Sequence, residues 1–471
     1  MTLPGFTPNV GDVFGQRSGY DTMAPGLDFA FGFIDDDYIS KAKSNGWLLS
    51  SDENVSTPAS TTLTRDLQVK LTVEPIRNLK IDVNMAHTQS KSKSIQFMYE
   101  STPTTQSGSF SMTTISIKSA FEGTGDATSG YRSASFEKFC SLLGTYRSRV
   151  ESQYAGTRYP VNSTMSGTRF DPTKTPVKPY SADVMIPAFL NAYTGYSGLS
   201  IFPTIASMLP NWTLRYSGLS QLTWFRERFK SVNINHGYKS IYSVGSYSSY
   251  SSFQKAMGDE IGFITDATTG DPSPSSMFNV STVSINESFS PLLGVDVTLK
   301  NNMTLKAEYR TTRVLSLSMT SVQINETTSK DWVFGMGYKI NDFRFAKSRA
   351  LKAAKSKNRS GNGDDDDNNS KSTKTTKSKG KTDFAHDLSL RMDLSYRRQA
   401  AITRDIATVT STATSGNTAF KLAFTADYTL SRLLTMSLYY DRQSNTPLLS
   451  SGSYPTVTQD FGVSMKFSLT R

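Results

Sequence analysis

The sequence predicts an all-β fold: an antiparallel transmembrane β-barrel portion of about 12 to 16 strands, with short helical insertions and one disordered insert. Three observations predict it. Apolar side chains recur at every second position over tall stretches, tyrosines stand at the ends of several of them, and no apolar run reaches the ~20 residues of a membrane-spanning helix. The 471 residues carry a net charge of +11, with 37 % hydrophobic residues, 11 % aromatics and a single cysteine, Cys140. That average resembles a soluble protein, but a barrel strand hides its hydrophobicity in alternate positions, so the mean does not discriminate. A helical membrane protein is excluded.

The first element sets Leu67, Val69, Leu71 and Val73 on one face and Gln68, Lys70, Thr72 and Glu74 on the other. After the turn Pro75 to Asn78, the residues Leu79, Ile81, Val83 and Met85 resume the alternation, which predicts an antiparallel hairpin. Its parity continues through Ile95, Phe97 and Tyr99. Shorter runs follow at Trp212, Leu214 and Tyr216, and at Val232, Ile234, His236 and Tyr238.

Downstream, Val283, Ile285, Phe289, Leu293, Val295, Val297 and Leu299 hold one parity across Pro291, either as one long kinked strand or as two strands joined at Ser290 and Pro291. The turn Lys300-Asn301-Asn302 leads to Met303, Leu305, Ala307 and Tyr309, then Leu315, Leu317 and Met319. Further strands carry Trp332 to Ile340, Leu388 to Tyr396, Phe420 to Leu430, Leu434 to Tyr440 and Phe461 to Leu469. About a dozen strands are assignable, within the range of membrane barrels. Two packed sheets in a soluble protein would also alternate, and the pattern alone leaves that alternative open.

Five tyrosines, Tyr99, Tyr216, Tyr309, Tyr396 and Tyr440, are candidate membrane-interface residues, because an interfacial ring keeps its body in lipid and its hydroxyl in water. Counting back from a periplasmic C-terminus puts the turns at 300–302 and 431–433 and the insert 346–383 in the periplasm, and the polar connections 397–418 and 443–459 outside. Between 119 and 208 the count fails by one strand. The expected organisation is N-terminal strands over 1–118, an insertion over 119–208, barrel strands over 209–345, a disordered insert over 346–383 and C-terminal strands over 384–471.

Residues 135–154 predict an amphipathic helix with Phe136, Phe139, Leu143, Tyr146 and Val150 on one stripe, plugging the barrel or packing against it. Cys140 lies within it and reads as an inert small hydrophobe, with no partner cysteine or basic cluster nearby. A second helix over 219–230 presents Trp224, Phe225 and Phe229 beside Arg226, Arg228 and Lys230, either as an anchor on the periplasmic leaflet or as ordinary packing. The stretch from Lys347 to Lys381 is rich in lysine, serine and aspartate with little to bury, and Asp364 to Asp367 lacks the spacing of a calcium loop.

No catalytic chemistry is legible. His87, His236 and His386 stand apart, without metal-pair spacing, and no phosphate loop, nucleophile elbow or zinc-cysteine pattern occurs. The expectation is therefore no enzyme, no cofactor and no metal. The lysines gather in the insert or alternate along strands, so nucleic acid is not expected as a partner either. The first residues, Met1 to Val10, lack a basic and an apolar region, so a fragment, a misplaced start or a split reading frame is expected for an exported chain.

Several phrases then carry a resemblance. Pro25 to Gly32 with Ala42 to Leu48, Val184 to Leu190, Pro210-Asn211-Trp212 with Tyr216 to Leu219, Asn235 to Tyr238 with Tyr242 to Tyr247, Phe289 to Asp296 and Asn445-Thr446-Pro447 run in order over essentially the whole chain. Together they resemble the C-terminal half of the SprA (Sov) family. The resemblance implies a very large outer-membrane barrel of the Bacteroidota, the protein-conducting translocon of the type IX secretion system, on which gliding motility depends in species that glide. Implied partners are secreted cargo proteins, plug and gating subunits, and outer-membrane lipid. The runner-up is a small self-contained outer-membrane porin or surface adhesin, which a signal peptide just upstream of Met1 would favour.

Overall fold

The alternating stretches fold as strands, and the longest of them outrun any single apolar run in the sequence. The computed structural model describes residues 44, 58–95, 104–123, 125–257, 261–341, 343, 386–431, 433–449 and 454–468. Tyr99, Phe97, Leu469 and the insert 346–383 lie outside them. In chain order the strands are β1 (Ala59–Ile76), β2 (Leu79–Ile95), β3 (Thr105–Thr113), β4 (Asn211–Tyr216), β5 (Phe229–Ser249), β6 (Phe253–Met257), β7 (Ile261–Thr265) and β8 (Pro272–Ser276). They continue as β9 (Phe278–Val280), β10 (Thr282–Leu299), β11 (Thr304–Ser318), β12 (Gln323–Ile340), β13 (Leu388–Asp405), β14 (Thr410–Thr429), β15 (Leu434–Pro447) and β16 (Thr456–Phe467). The helices are α1 (Ile117–Ala120), α2 (Ala134–Gln153), α3 (Ala182–Thr194) and α4 (Thr223–Arg228).

Thirteen of the strands form one antiparallel sheet, in the order β1-β2-β3-β5-β10-β11-β12-β13-β14-β15-β16, with β4 beside β2 and β5 and with β9 extending along β5. The edge strands β1 and β16 do not pair with each other among the described residues. The remaining three, β6-β7-β8, make a small separate sheet. Asn78 and Asn302 turn the chain at φ 68° and 62°, a left-handed conformation that asparagine tolerates better than most side chains.

Among the described residues no strand lies between 119 and 208, where the count needs one; β3 precedes that stretch and shares its place in the sheet with β4. β2 pairs through His87–Ser94 with β3 and through Leu79–Asn84 with β4. β5 pairs with the same two segments on the side away from β2. The chain thus leaves the sheet in mid-strand after Thr113 and rejoins it at Asn211. Side chains bridge the gap: Ala86 N–H donates to Thr113 Oγ1 at 3.2 Å, and Ser240 N–H donates to Asn211 Oδ1 at 2.8 Å. They satisfy ladder groups that the departing backbone cannot reach. With β3 and β4 counted as one strand, the turns at 77–78, 300–303 and 431–433 all fall at one end of the sheet.

β10 is one strand rather than two. Phe289 pairs with Thr311 and Leu293 with Tyr309, so β10 spends two more residues than β11 between those rungs. A single extra residue would turn every later side chain to the other face, whereas two preserve parity. Val283, Ile285 and Phe289 therefore share a face with Leu293, Val295 and Val297.

The segment between Thr113 and Asn211 packs on the apolar face of the sheet, at the end away from the tight turns. Ser133 caps α2 by accepting the Phe136 N–H, and Phe136, Phe139, Tyr146 and Val150 are buried as their stripe predicts. α3 is buried nearly all round, including Val184, Met185, Ile186, Phe189 and Leu190, and packs chiefly against α2, with α1 and β8 of the small sheet beside it. Below it lie Phe110, Met112, Tyr242, Val244, Val283, Ile285, Leu315, Leu317 and Ile324, in one hydrophobic cluster with the helices. Each fully buried large side chain contributes about 1.5–3 kcal/mol relative to exposure.

Three expectations need correction. The connection 443–459 is strand at both ends, since β15 runs to Pro447 and β16 begins at Thr456. Residues 397–418 are not a polar loop, because β13 and β14 extend as a hairpin to a short turn at 406–409, and Ala400, Ile402 and Arg404 gain burial there. The helix over 219–230 is shorter than its apolar stripe suggests. A 3-10 turn at Gly218–Gln221 precedes α4, and Phe229 and Lys230 already belong to β5, where Phe229 pairs with Leu299.

Burial pushes the Cys140 thiol up to about 11, so the protonated form dominates at neutral pH. Its alkylation in the folded chain should be slow at pH 8 and accelerate only as the pH approaches that value. A rate that has already levelled off by pH 8 would contradict the inert reading.

Candidate functional site

The sheet offers two opposite surfaces, and its register shows how each is built. Trp332 to Ile340 on β12, Leu388 to Tyr396 on β13 and Phe420 to Tyr428 on β14 are each nine residues long and lie in matched register, with Trp332, Tyr396 and Phe420 at one end and Ile340, Leu388 and Tyr428 at the other. A tilted strand crosses a hydrocarbon layer in about 9–11 residues. Within this band Met336, Met392, Phe424, Tyr440 and Phe461 form a continuous rung.

Helices cover only part of this face. Leu315 is fully buried, while Leu305 on the same face of β11 is 38 % exposed; farther along, Trp332 is 46 % and Phe461 71 % exposed. No second sheet covers the band among the described residues.

The candidate interface residues fall as follows. Tyr309 and Tyr396 flank Trp332 in one cross-strand row, Leu293–Tyr309–Trp332–Tyr396–Phe420, with the Tyr309 and Trp332 rings stacked at 4.4 Å. Both tyrosines lie in mid-strand; they end the apolar run rather than the strand. Tyr440 is likewise internal, between Phe424 and Phe461. Tyr216 does end its strand, beside Leu79 and Ile234, at the tight-turn end. Trp224, Phe225 and Phe229 cluster at that same end, with ring centroids 4.8 and 5.8 Å apart along the series and the Arg228 guanidinium 4.6 Å from the Trp224 ring.

The other face is polar and largely paired. Thr72 donates to Asp82 at 2.6 Å, Asn235 to Asp296 at 2.7 Å, and Arg397 meets Asp331 at 2.8 Å. Lys306 and Arg310 both hold Glu308. Lys421 meets Asp441 at 3.3 Å. A cleft of about 740 Å3 opens on this side, lined by Lys80, Arg215, Asn235, Asp296, Lys306 and Glu308. A charged, hydrogen-bonding surface of this kind wets readily.

Two buried ion pairs, which alternation alone does not disclose, tie the helical segment to the sheet. Glu287 and Arg313 are register partners at 3.1 Å, and Ser116 and Tyr238 donate to Glu287 at 2.6 and 2.8 Å. Arg313 also donates to the Ser119 carbonyl at 2.6 Å. Arg404 pairs with Glu326 at 2.7 Å and donates to the Tyr131 carbonyl at 2.6 Å. Charged residues at apolar parity positions were the available signal.

The three histidines remain apart. His87 packs edge-on against Phe110 at 5.1 Å, His236 Nδ1 lies 2.6 Å from the Leu292 carbonyl, and His386 Nδ1 lies 3.2 Å from that of Thr429. Among the described residues no group of three or more His, Cys, Asp or Glu could hold a metal, and no helix is long and apolar enough to cross a membrane.

No family model matches the chain, and no curated protein matches it. Among solved structures it is similar to the β domain of the Bordetella autotransporter BrkA, at 7 % identity and a TM-score of 0.18, covering 88 % of this chain and 100 % of that one. It is also similar to OmpT, an outer membrane protein of Vibrio cholerae, at 9 % identity and a TM-score of 0.19, covering 87 % and 95 %. TM-scores that low carry no argument; the two-faced antiparallel sheet stands on its own register.

Proposed function

We propose that this chain is a wall segment of an outer-membrane, protein-conducting translocon, that of the type IX secretion system. The observation that carries the reading is the sheet itself: one face apolar over a nine-residue band, the other charged and hydrogen-bonded, and, among the described residues, neither edge strand paired with the other. An open edge in hydrocarbon costs several kcal/mol per unsatisfied group, so β1 and β16 call for further strands beside them. A wall that continues into a larger barrel satisfies them, and diameter grows roughly linearly with strand number. The ordered phrases that resemble the SprA family support that identity for the barrel.

In this reading lipid wets the apolar band, the polar face lines a wide aqueous conduit, and secreted cargo passes along it without a catalytic group of this chain. The conduit is passive and is gated by plug and gating subunits. Deleting the complete gene should abolish secretion of type IX cargo, and gliding where the host glides. Unchanged secretion by the deletion strain would refute the assignment.

A further inference from the structure

Directly beyond the aromatic row, on the lipid-facing side, the next rung reads Thr311–Lys330–Arg398–Thr418. Lys330 and Arg398 are register partners and both are exposed. Like charges directly opposite on one face repel, and sequences avoid them unless something offsets the cost. The register offers no carboxylate to do so. On this face the neighbours along the two strands are Thr328, Trp332, Tyr396 and Ala400, and the flanking strands supply Thr311 and Thr418. The nearest acids on this face, Glu326 and Glu287, are buried against Arg404 and Arg313.

The opposite face makes the contrast. There the adjacent residues of the same two strands, Asp331 and Arg397, neutralise each other at 2.8 Å. Lys330 and Arg398 face one another where the apolar band ends, one rung past the stacked Tyr309 and Trp332 rings. The rung also runs to the foot of the helical segment, since Thr311 pairs with Phe289, on which Phe121 packs at 5.3 Å.

We infer that Lys330 and Arg398 bind the phosphate of a lipid headgroup in the leaflet at this end of the sheet. The inference rests on the membrane reading above and deepens it, because it places the headgroup layer one rung beyond the Trp332 row. A planar guanidinium and an ammonium side by side suit a phosphoryl group, Arg398 through its paired N–H donors and Lys330 as a point charge. The occupant is a lipid rather than free phosphate, because acyl chains below the headgroup would lie against the exposed aromatic row.

The test uses the full chain in non-ionic detergent micelles, with lipid A as the probe and bound lipid counted by native mass spectrometry. Replacing both cations, Lys330→Gln with Arg398→Gln, should weaken lipid A retention about tenfold or more, given roughly 1 kcal/mol per cation at a charged lipid surface. Lys330→Arg should retain it. Arg397→Gln, on the opposite face, should leave it unchanged. Retention by the double variant equal to that of the parent overturns the inference, as does displacement of lipid A by an equal concentration of inorganic phosphate. The membrane reading fails separately, and takes the inference with it, if the parent chain stays monomeric in water and takes up neither detergent nor lipid.

Discussion

Replacing Arg404 by alanine is expected to destabilise the attachment of the helical segment by about 3–5 kcal/mol, because it strands the Glu326 carboxylate in a buried position without its partner. Arg404 is fully buried and links three pieces of the chain: Glu326 on β12, Ser411 on β14 and the Tyr131 carbonyl just before α2. Removing both charges with apolar side chains, Arg404→Leu with Glu326→Met, should recover much of that loss, since an isosteric apolar pair avoids the desolvation cost altogether. Hydrogen exchange over α2 and α3 reads the effect. The single variant should exchange fast there and the double variant near the parental rate, while β15 and β16 remain unchanged in both. Equal protection in Arg404→Ala and the parent would show that the hydrophobic cluster alone holds the segment.

The second large effect comes from placing a charge in the apolar band. Met392→Arg, in the rung between Met336 and Phe424, should cost about 2–4 kcal/mol in phospholipid vesicles, the range for arginine near a bilayer midplane. Ser395→Arg, three residues on and facing the polar side, should stay within about 0.5 kcal/mol. Urea unfolding from vesicles measures both. The two substitutions add the same side chain to the same strand, so their difference isolates which face meets lipid. Similar costs for the two would mean that both faces share one environment.

These effects also mark what the sequence discloses and what it hides. Strand parity is legible wherever large apolar residues alternate, as from Leu388 to Tyr396, because a half-exposed strand has no other way to satisfy two solvents. β3 is hard to see because Thr105–Thr113 carries only Phe110 and Met112 as large apolar side chains. Its union with β4 is hidden for a different reason: sequence neighbours and sheet neighbours part company when the chain leaves a strand in the middle. The polarity of 397–418 suggests a loop, yet only Ala400, Ile402 and Arg404 need to face the helical segment for a hairpin to be stable there.

Charges at apolar parity positions are the most informative misfits. Glu287, Arg313, Glu326 and Arg404 break the alternation because a second layer of the chain covers them, and Lys330 and Arg398 break it where the exposed apolar band ends. Read alone, each looks like noise in a periodic pattern. Read in register, they divide one apolar face into a covered part, a charged boundary and an uncovered band, a division that strand-by-strand reading cannot make.

A spin-label scan of β13 tests the two-faced account most directly. With Cys140 replaced, single cysteines from position 388 to 396 would be labelled in vesicle-reconstituted protein, and collision with oxygen compared with collision with a water-soluble nickel complex. Labels at 388, 390, 392, 394 and 396 should favour oxygen, and those at 389, 391, 393 and 395 nickel, with the oxygen preference greatest at 392. A flat profile, or a period near 3.6 residues, would contradict a sheet with lipid on one side and water on the other.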